Sequence, residues 1–211
     1  MGDSAHGSFP RCVSVVLFEG FELLDVFGPV ELLSKLPEDF AVNLLGPDAG
    51  PVRSSQGTEV IAEAAYANAP APDIAMVPGG IGTRTLARDA GFLSWLSAWA
   101  QPAELVTSVC TGSALLAAAG LLDGYQATSN KLAFEWASGQ GQDVTWAAKA
   151  RWVQDRDRWT SSGVAAGMDM TAALIAFLHG QQAADDVARR IELEIHPDPD
   201  WDPFARAYGL A

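Results

Sequence analysis

Several kinds of residue are scarce in this chain of 211 residues, and each scarcity excludes a class of protein. The two cysteines, Cys12 and Cys110, are too few for a disulfide framework or for a four-cysteine metal site. No stretch reaches the roughly 18–20 consecutive apolar residues that a membrane-spanning helix needs. The sequence therefore predicts neither a disulfide-stabilised module nor a membrane protein, and so few cysteines fit a reducing, cytoplasmic setting.

Basic residues are also scarce: 13 Lys and Arg stand against 26 Asp and Glu, which gives a net charge of −13. Such an acidic surface argues against nucleic acids and anionic membranes as partners. The opening M-G-D-S-A-H-G-S-F-P has neither the basic start nor the apolar segment of a secretory signal. We expect a cytoplasmic protein with a flexible lead-in over residues 1–10 and a single domain over 11–211.

Short apolar runs alternate with longer helical patterns along the chain. This alternation predicts an α/β domain whose mostly parallel central sheet is flanked by helices. Ligands of such sheets bind beyond the carboxyl ends of the strands. The predicted strands include Val13–Phe18, Ala41–Leu45, Glu59–Ala62 (short and antiparallel), Asp73–Val77 and Leu105–Val109, and the predicted helices include Asp25–Leu36, Thr83–Ala100 and Thr111–Ala119.

The segment Leu105–Gly120 carries the main chemical signal. A β-branched run meets Cys110, small residues follow, and an Ala/Leu stretch of high helix propensity comes next. The pattern predicts a strand, a sharp turn and a helix, with a thiol at the corner. Unpaired N–H groups and the dipole at the helix start favour a reactive thiolate. The alternative is a small buried hydrophobe, which is how we interpret Cys12.

Other strand ends supply partners for this thiol. Gly79, Gly80 and Ile81 follow a predicted strand, and their N–H groups could stabilise negative charge; alternatively, the glycines only make a tight turn. Asp25 begins a predicted helix after the first strand, where it could cap the helix or transfer protons. Glu22 is a second candidate carboxyl.

A histidine partner for the thiol is missing. His6 lies in the lead-in, His179 ends a predicted helix and His196 begins the C-terminal tail. A Cys–His pair needs an imidazole nearby, so we expect a Cys–Asp site instead. The segment 79–82 lacks the Lys-Ser/Thr of a phosphate-binding loop, and neither a metal nor a cofactor is predicted.

Five motifs follow one another along the chain: L-L-D-V-F-G-P (23–29), V-P-G-G-I-G (77–82), V-T-S-V-C-T-G-S (106–113), A-A-G-L-L-D-G-Y-Q-A-T (118–128) and S-S-G-V-A-A-G-M-D (161–169). Together they resemble the ThiJ/PfpI superfamily, within the class I glutamine amidotransferase-like, flavodoxin-like fold. The likeness extends from Val13 to about Phe204, and it implies a homodimer.

Within the superfamily the chain most resembles the isocyanide (isonitrile) hydratases. The likeness rests on L-D-x-x-G-P, on C-T-G-S and on the late segment R-R-I-E-L-E-I-H-P-D-P. It implies that a small isocyanide becomes an N-formamide through a covalent thioimidate on Cys110, without a cofactor. Asp25 would then move protons and orient water, Thr111 would hydrogen-bond near the thiol, and the Gly80 and Ile81 region would line the anion pocket.

One departure from the family pattern concerns the pocket. The hydratases carry A-T-T-H-W where this chain reads A-T-S-N-K, with Asn130 in place of the histidine and Lys131 in place of the aromatic residue. Asparagine forms hydrogen bonds but takes no proton at neutral pH. Branches that use a Cys–His pair are therefore less favoured, and we assign Asn130 to the substrate pocket.

Two alternatives stay open. The chain could be another cysteine-dependent enzyme of the superfamily, such as a glyoxalase, deglycase or amidase. It could also be a small-molecule or redox-sensing module, because sensor domains of AraC-type regulators share this branch. The acidic composition fits DNA binding poorly.

Overall fold

The computed structural model describes residues 9–210, so the predicted lead-in lies, except for residues 9 and 10, outside the described residues. Its centre is a seven-stranded sheet in the order β10-β11-β7-β6-β1-β2-β5. The strands are β1 (Arg11–Val16), β2 (Phe40–Gly46), β3 (Gly50–Arg53), β4 (Glu59–Ala62), β5 (Ala64–Ala65), β6 (Ile74–Val77), β7 (Leu105–Ser108), β8 (Tyr125–Ala127), β9 (Val144–Trp146), β10 (Trp152–Asp155) and β11 (Arg158–Ser161).

Helices flank this sheet. Its neighbouring strands run parallel except for β10 and β11, which pair in antiparallel fashion. The predicted α/β class with a mostly parallel sheet is thereby confirmed. The helices are α1 (Leu23–Leu33), α2 (Thr83–Leu86), α3 (Ala90–Ala100), α4 (Gly112–Ala118), α5 (Phe134–Ser138), α6 (Ala166–His179), α7 (Gln181–Arg190) and α8 (Pro203–Ala207).

The central strands are buried on both faces, as expected for a sheet covered by helices. Every residue of β6 and of β7 is buried, and the two strands run in parallel register with Val77 opposite Ser108. The short antiparallel strand predicted at Glu59–Ala62 is present as β4, which pairs with β3.

The single helix predicted over Thr83–Ala100 is wrong, because the chain forms two helices there. Asp89 lies between α2 and α3 and caps the second helix, its carboxylate accepting the Phe92 N–H at 3.0 Å. A side chain that satisfies a free N–H at a helix start favours a new helix over continuation of the old one. The apolar periodicity of the segment concealed this break.

The connections after β1, β6, β7 and β11 meet at the carboxyl edge of the sheet. Glu22 N–H donates to the Gly79 carbonyl at 2.8 Å, and Cys110 N–H donates to the Ser162 carbonyl at 2.9 Å. This edge therefore brings together the segments that carry the predicted site residues. Within residues 9–210, no helix is long and apolar enough to cross a membrane.

Candidate active site

Cys110 stands at a strained corner between β7 and α4. Its φ of 58° lies in the left-handed region, which a side chain other than glycine rarely adopts. Such a conformation costs on the order of 1–3 kcal/mol and persists only where the surroundings enforce it. Hydrogen bonds on both sides enforce it here, since Val109 N–H donates to Val77 and Cys110 N–H donates to Ser162. Cys110 as a whole is 6% exposed.

Glycines allow the corner to touch the end of β6. A Cβ added at Gly112 would lie 2.1 Å from the Val77 carbonyl oxygen, and one added at Gly79 would lie 2.8 Å from Cys110 Cβ. Any side chain at either position would push the corner away from the strand. These two glycines therefore let the backbone of the corner approach the end of β6 closely, and this matters more than their ability to form a turn.

Asp25 lies inside α1, and the interpretation of this residue as a helix cap is wrong. Glu22 occupies the cap position, without a capping side-chain bond. The Asp25 side chain is fully buried and accepts the Gly79 N–H through Oδ2 at 2.8 Å. Its Oδ1 is buried without a conventional hydrogen-bond partner among the described residues.

The carboxyl and the thiol interact, and burial dominates both acidities. Burial raises the pKa of Asp25 to about 7; the Gly79 N–H opposes this shift, the Glu22 charge adds to it, and a hydrogen bond from the Cys110 thiol opposes it. Burial and the Asp25 charge raise the pKa of Cys110 to about 12. The expectation that the helix start holds a thiolate is therefore wrong, because desolvation outweighs the dipole of a short helix. The site holds a neutral thiol beside a carboxyl that titrates near neutrality.

Three groups oppose the rise in the thiol pKa as hydrogen-bond partners of the sulfur: the backbone of Thr111, the backbone of Val164 and the side chain of Asn130. Asn130 Oδ1 accepts the Ala133 N–H at 3.0 Å, which leaves the amide NH₂ to face the sulfur. Sequence reasoning missed Val164, since a backbone donor leaves no side-chain signature. Together these groups could stabilise negative charge on the sulfur.

The N–H groups predicted to form the anion pocket are held by protein groups. Gly79 N–H donates to Asp25, Gly80 N–H donates to Thr111 Oγ1 at 3.1 Å, and Ile81 N lies 3.5 Å from Ser55 Oγ. The Thr111 hydroxyl is thus turned toward the Gly80 loop, and this residue reaches the sulfur through its backbone. These segments brace the site, while the donors around the sulfur come from Thr111, Val164 and Asn130.

Lys131 is buried, and its ammonium group is used internally. Nζ donates to Thr128 Oγ1 at 2.8 Å and to the Ala150 carbonyl at 2.6 Å. Burial lowers the pKa of Lys131 to about 8. This side chain ties its own loop to the approach to β10, and protein oxygens, including the Ser129 carbonyl, accept its N–H groups.

Among residues 9–210, no histidine is one of the groups that act on the Cys110 thiol. His179 approaches Asp39 at 3.5 Å, at the amino edge of the sheet where β2 begins; the backbone of His196 bonds to Asp169; His6 lies outside the described residues. Nor does the described part of the chain contain a cluster of three or more His, Cys, Asp or Glu side chains that could hold a metal ion.

The sheet is mostly parallel, and a strained cysteine lies at one of its strand–helix corners. A glycine loop braces this corner and a buried carboxyl faces it. These features define a class of cysteine-centred proteins. The chain belongs to the DJ-1/PfpI family, which matches residues 11–177. The resemblance inferred from the sequence motifs is confirmed.

The similar proteins include both an enzyme and a regulator. The chain is 36% identical over 192 residues to the isonitrile hydratase of Pseudomonas putida, covering 90% of this chain and 81% of that protein. It is 32% identical over 179 residues to the HTH-type transcriptional regulator GbdR of Pseudomonas aeruginosa, covering 82% of this chain but 48% of the regulator. The crystal structure of a ThiJ/PfpI family protein from Pseudomonas syringae superposes with a TM-score of 0.79 at 30% identity, covering 96% of this chain and 84% of that chain.

Proposed function

We propose that this protein is an isonitrile hydratase that adds water to an isocyanide and releases an N-formamide. The observation that carries the proposal is the pair of Asp25 and Cys110: a buried carboxyl with one oxygen lacking a conventional partner, in contact with a thiol that it can deprotonate. The similarity to the hydratase of Pseudomonas putida supports the same activity.

The reaction proceeds in two balanced halves. In the first, the sulfur of Cys110 bonds to the terminal carbon of R–NC, and the thiol proton passes through Asp25 to that carbon, which gives the thioimidate R–N=CH–S. In the second, water adds to this carbon with a proton moving to nitrogen. The C–S bond then breaks, the thiol regains its proton, and R–NH–CHO leaves.

The assignment of roles follows from the acidities. A thiol whose pKa is about 12 is a weak nucleophile at neutral pH unless its proton leaves as the S–C bond forms. A carboxyl with a pKa of about 7 is well matched to take that proton and return it. The donors at Thr111, Val164 and Asn130 stabilise the charge that develops on sulfur.

Incubation with an aryl or alkyl isocyanide, followed by quantification of the formamide, tests the proposal. We expect turnover by the wild-type protein, none by Cys110→Ala, and full turnover by Cys12→Ala. Cys12 lies beside Asn43 at the amino end of β1, whereas the candidate site lies at the carboxyl edge of the sheet. Rapid quenching and intact-mass measurement should detect an adduct of one isocyanide on Cys110. Absence of turnover, or turnover that survives Cys110→Ala, would contradict the proposal.

The likeness to about half of GbdR favours a second candidate, a small-molecule or redox-sensing module without turnover. Tight binding of a ligand that the protein does not convert, or ready oxidation of Cys110 by peroxide in a protein inactive on isocyanides, would support it. Turnover of methylglyoxal instead of isocyanides would indicate a glyoxalase-type enzyme.

A homodimer of cytoplasmic location is part of the proposal, with a small molecule as substrate and neither nucleic acid nor membrane as partner. The tryptophans give the homodimer little support, because an interface residue would be exposed in the single chain. Of the seven, Trp201 is the one in the described chain that is largely exposed. Better support comes from Leu24 and Phe27, apolar side chains that α1 leaves 39% and 42% exposed. Light scattering coupled to size exclusion would report a mass near twice 22.3 kDa for the full chain.

A further inference from the structure

A cavity of about 690 Å³ lies at the carboxyl edge of the central sheet, between the connection after β1 and the helices α2 and α3. Its floor includes Phe18 and Glu19, which follow β1, and Gly82, which follows β6. The chain runs from β1 to β2 on one side and returns to β6 on the other, so the order of the sheet reverses between β1 and β6. Small molecules bind to sheets of this kind at such a reversal.

The cavity is separate from the cysteine site. None of the groups that act on the Cys110 thiol or on the Asp25 carboxyl lines it. A Cβ added at Gly82 would lie 2.0 Å from the Glu19 carbonyl oxygen and 2.9 Å from the Phe18 ring, so the loop after β6 packs directly on the chain after β1. A side chain at position 82 would push apart the two segments that form the floor.

Four aromatic side chains line the cavity: Phe18, Tyr66, Phe92 and Trp95. The Tyr66 ring stacks on that of Trp95, with the ring centroids 4.1 Å apart. The Tyr66 hydroxyl donates to the Leu17 carbonyl, and the Trp95 indole N–H donates to the Tyr66 carbonyl at 3.1 Å. Because these polar atoms are bonded within the protein, the wall is held in place and offers ring surface to a ligand.

The charged side chains of the lining, Glu19 and Asp89, are both acidic. Asp89 is partly used, because its Oδ1 accepts the Phe92 N–H at the start of α3. The Glu19 side chain is exposed and, within residues 9–210, its carboxylate forms neither a hydrogen bond nor an ion pair. An aromatic wall beside a carboxylate that has no counter-charge is complementary to an organic cation.

We propose that this cavity binds a small arylalkyl ammonium ion, whose ring packs on the Tyr66, Phe92 and Trp95 wall and whose NH₃⁺ group donates to the Glu19 carboxylate. The volume lies within the range of about 300–1,000 Å³ that is typical of ligand pockets. A primary ammonium is favoured because the carboxylate and the Thr85 hydroxyl, which also lines the cavity, can accept its N–H groups. Anionic ligands are disfavoured, since none of the described lining residues is basic. The proposal does not depend on the hydratase activity.

Calorimetric titrations with three molecules of similar size and different charge test the proposal. At pH 7, 2-phenylethylammonium should bind about fivefold more tightly than neutral 2-phenylethanol, the scale of a partly exposed ion pair, and 3-phenylpropionate should not bind. Glu19→Gln should remove the difference between the ammonium and the alcohol. Glu38→Gln is the matched control: it removes the same charge from an exposed position that does not line the cavity, and it should leave both affinities unchanged.

Two further variants locate the ligand. Ala67 is exposed and lines the cavity, so Ala67→Trp should fill it and abolish binding of the ammonium and the alcohol alike, with an unchanged far-UV circular dichroism spectrum. Cys110→Ala should keep the wild-type affinity, because the thiol is not part of the cavity. This variant also separates the cavity from the hydratase proposal, since it removes isocyanide turnover without affecting ammonium binding.

Four results would overturn the proposal. The first is the absence of saturable ammonium binding, and the second is an alcohol that binds as tightly as the ammonium, which would make the cavity merely apolar. The third is an equal loss in Glu38→Gln, which would assign the effect to the net charge of the protein. The fourth is binding that survives Ala67→Trp but is lost in Cys110→Ala, which would place the ligand in the cysteine site.

Discussion

Asp25 and Asp169 are two buried aspartates in equivalent places with opposite surroundings. Each lies in the first turn of a helix, α1 and α6 respectively, and is at most 3% exposed. Asp169 forms a salt bridge with Arg151 at 2.6 Å and also accepts the His196 N–H. Asp25 faces a thiol and one backbone N–H, and no cation from the described part of the chain acts on it. Both carboxyls are buried, so burial does not explain their different roles. A carboxylate with a cationic partner is structural, and one without such a partner is available for proton transfer.

The largest expected effect is on activity. Asp25→Asn keeps the shape and can still accept the Gly79 N–H, but it cannot take a proton. We expect kcat/KM for isocyanide hydration to fall by about 10²–10⁴-fold, the usual contribution of a general acid–base group. Initial rates of formamide formation measure this. Asp39→Asn, at the opposite edge of the sheet, serves as the control, and an equal loss in both variants would contradict the role assigned to Asp25.

Asp169→Asn should act on stability instead. It leaves the Arg151 guanidinium buried without its main counter-charge, which typically costs about 3–5 kcal/mol. Urea unfolding at pH 7 measures the free energy of unfolding. Replacing both partners by apolar residues, Arg151→Met with Asp169→Leu, should recover part of the loss, because no buried guanidinium is then left without Asp169; the recovery is incomplete because buried Asp202 loses its contact with Arg151 at 3.9 Å. A loss no larger than that of an exposed ion pair would show that Asp169 is not structural.

Asp25→Asn should raise the free energy of unfolding at neutral to alkaline pH, whereas Asp169→Asn should lower it. The folded pKa of Asp25 is raised from 3.8 to about 7, so the unfolded chain ionises first as pH rises. The contribution of Asp25 to the unfolding free energy of the wild type therefore falls between about pH 4 and pH 7. Above that range the full cost of burying the ionised carboxylate applies. At pH 8, Asp25→Asn should exceed the wild type by up to about 4 kcal/mol in unfolding free energy, and the advantage should vanish near pH 4. A variant less stable than the wild type at pH 8 would refute the unpaired-carboxylate description.

The last prediction concerns the pH dependence of the rate, which changes least from one pH unit to the next. The reacting form needs an ionised Asp25 to take the thiol proton, so kcat/KM should rise about tenfold per pH unit up to about pH 7 and then level off. Asp25→Asn should lack this limb. Activity that declines above pH 7 would instead assign the reaction to the protonated carboxyl.

Local patterns in the sequence were sufficient to predict the Cys110 corner and the fold class. The β-branched run, the small residues and the Ala/Leu stretch each specify their own backbone state. The meeting of Asp25 with the corner followed from one further rule, that parallel strand ends share an edge. These predictions needed no knowledge of side-chain packing.

What the sequence could not supply depends on packing. The acidity of Cys110 is decided by how much water surrounds it, and the helix start that predicted a thiolate is outweighed by burial. Val164 contributes through its backbone, which has no residue signature. The helix break at Asp89 was hidden within a continuous apolar period, and α8 is too short for periodicity to reveal.

The glycine contacts at Val77 and Cys110 have a consequence for how such a protein can be re-engineered. Because Gly112 and Gly79 leave no room for a Cβ between the corner and β6, substitutions there displace the reacting sulfur instead of reshaping its surroundings. Mutational libraries aimed at new substrates should therefore leave this junction untouched.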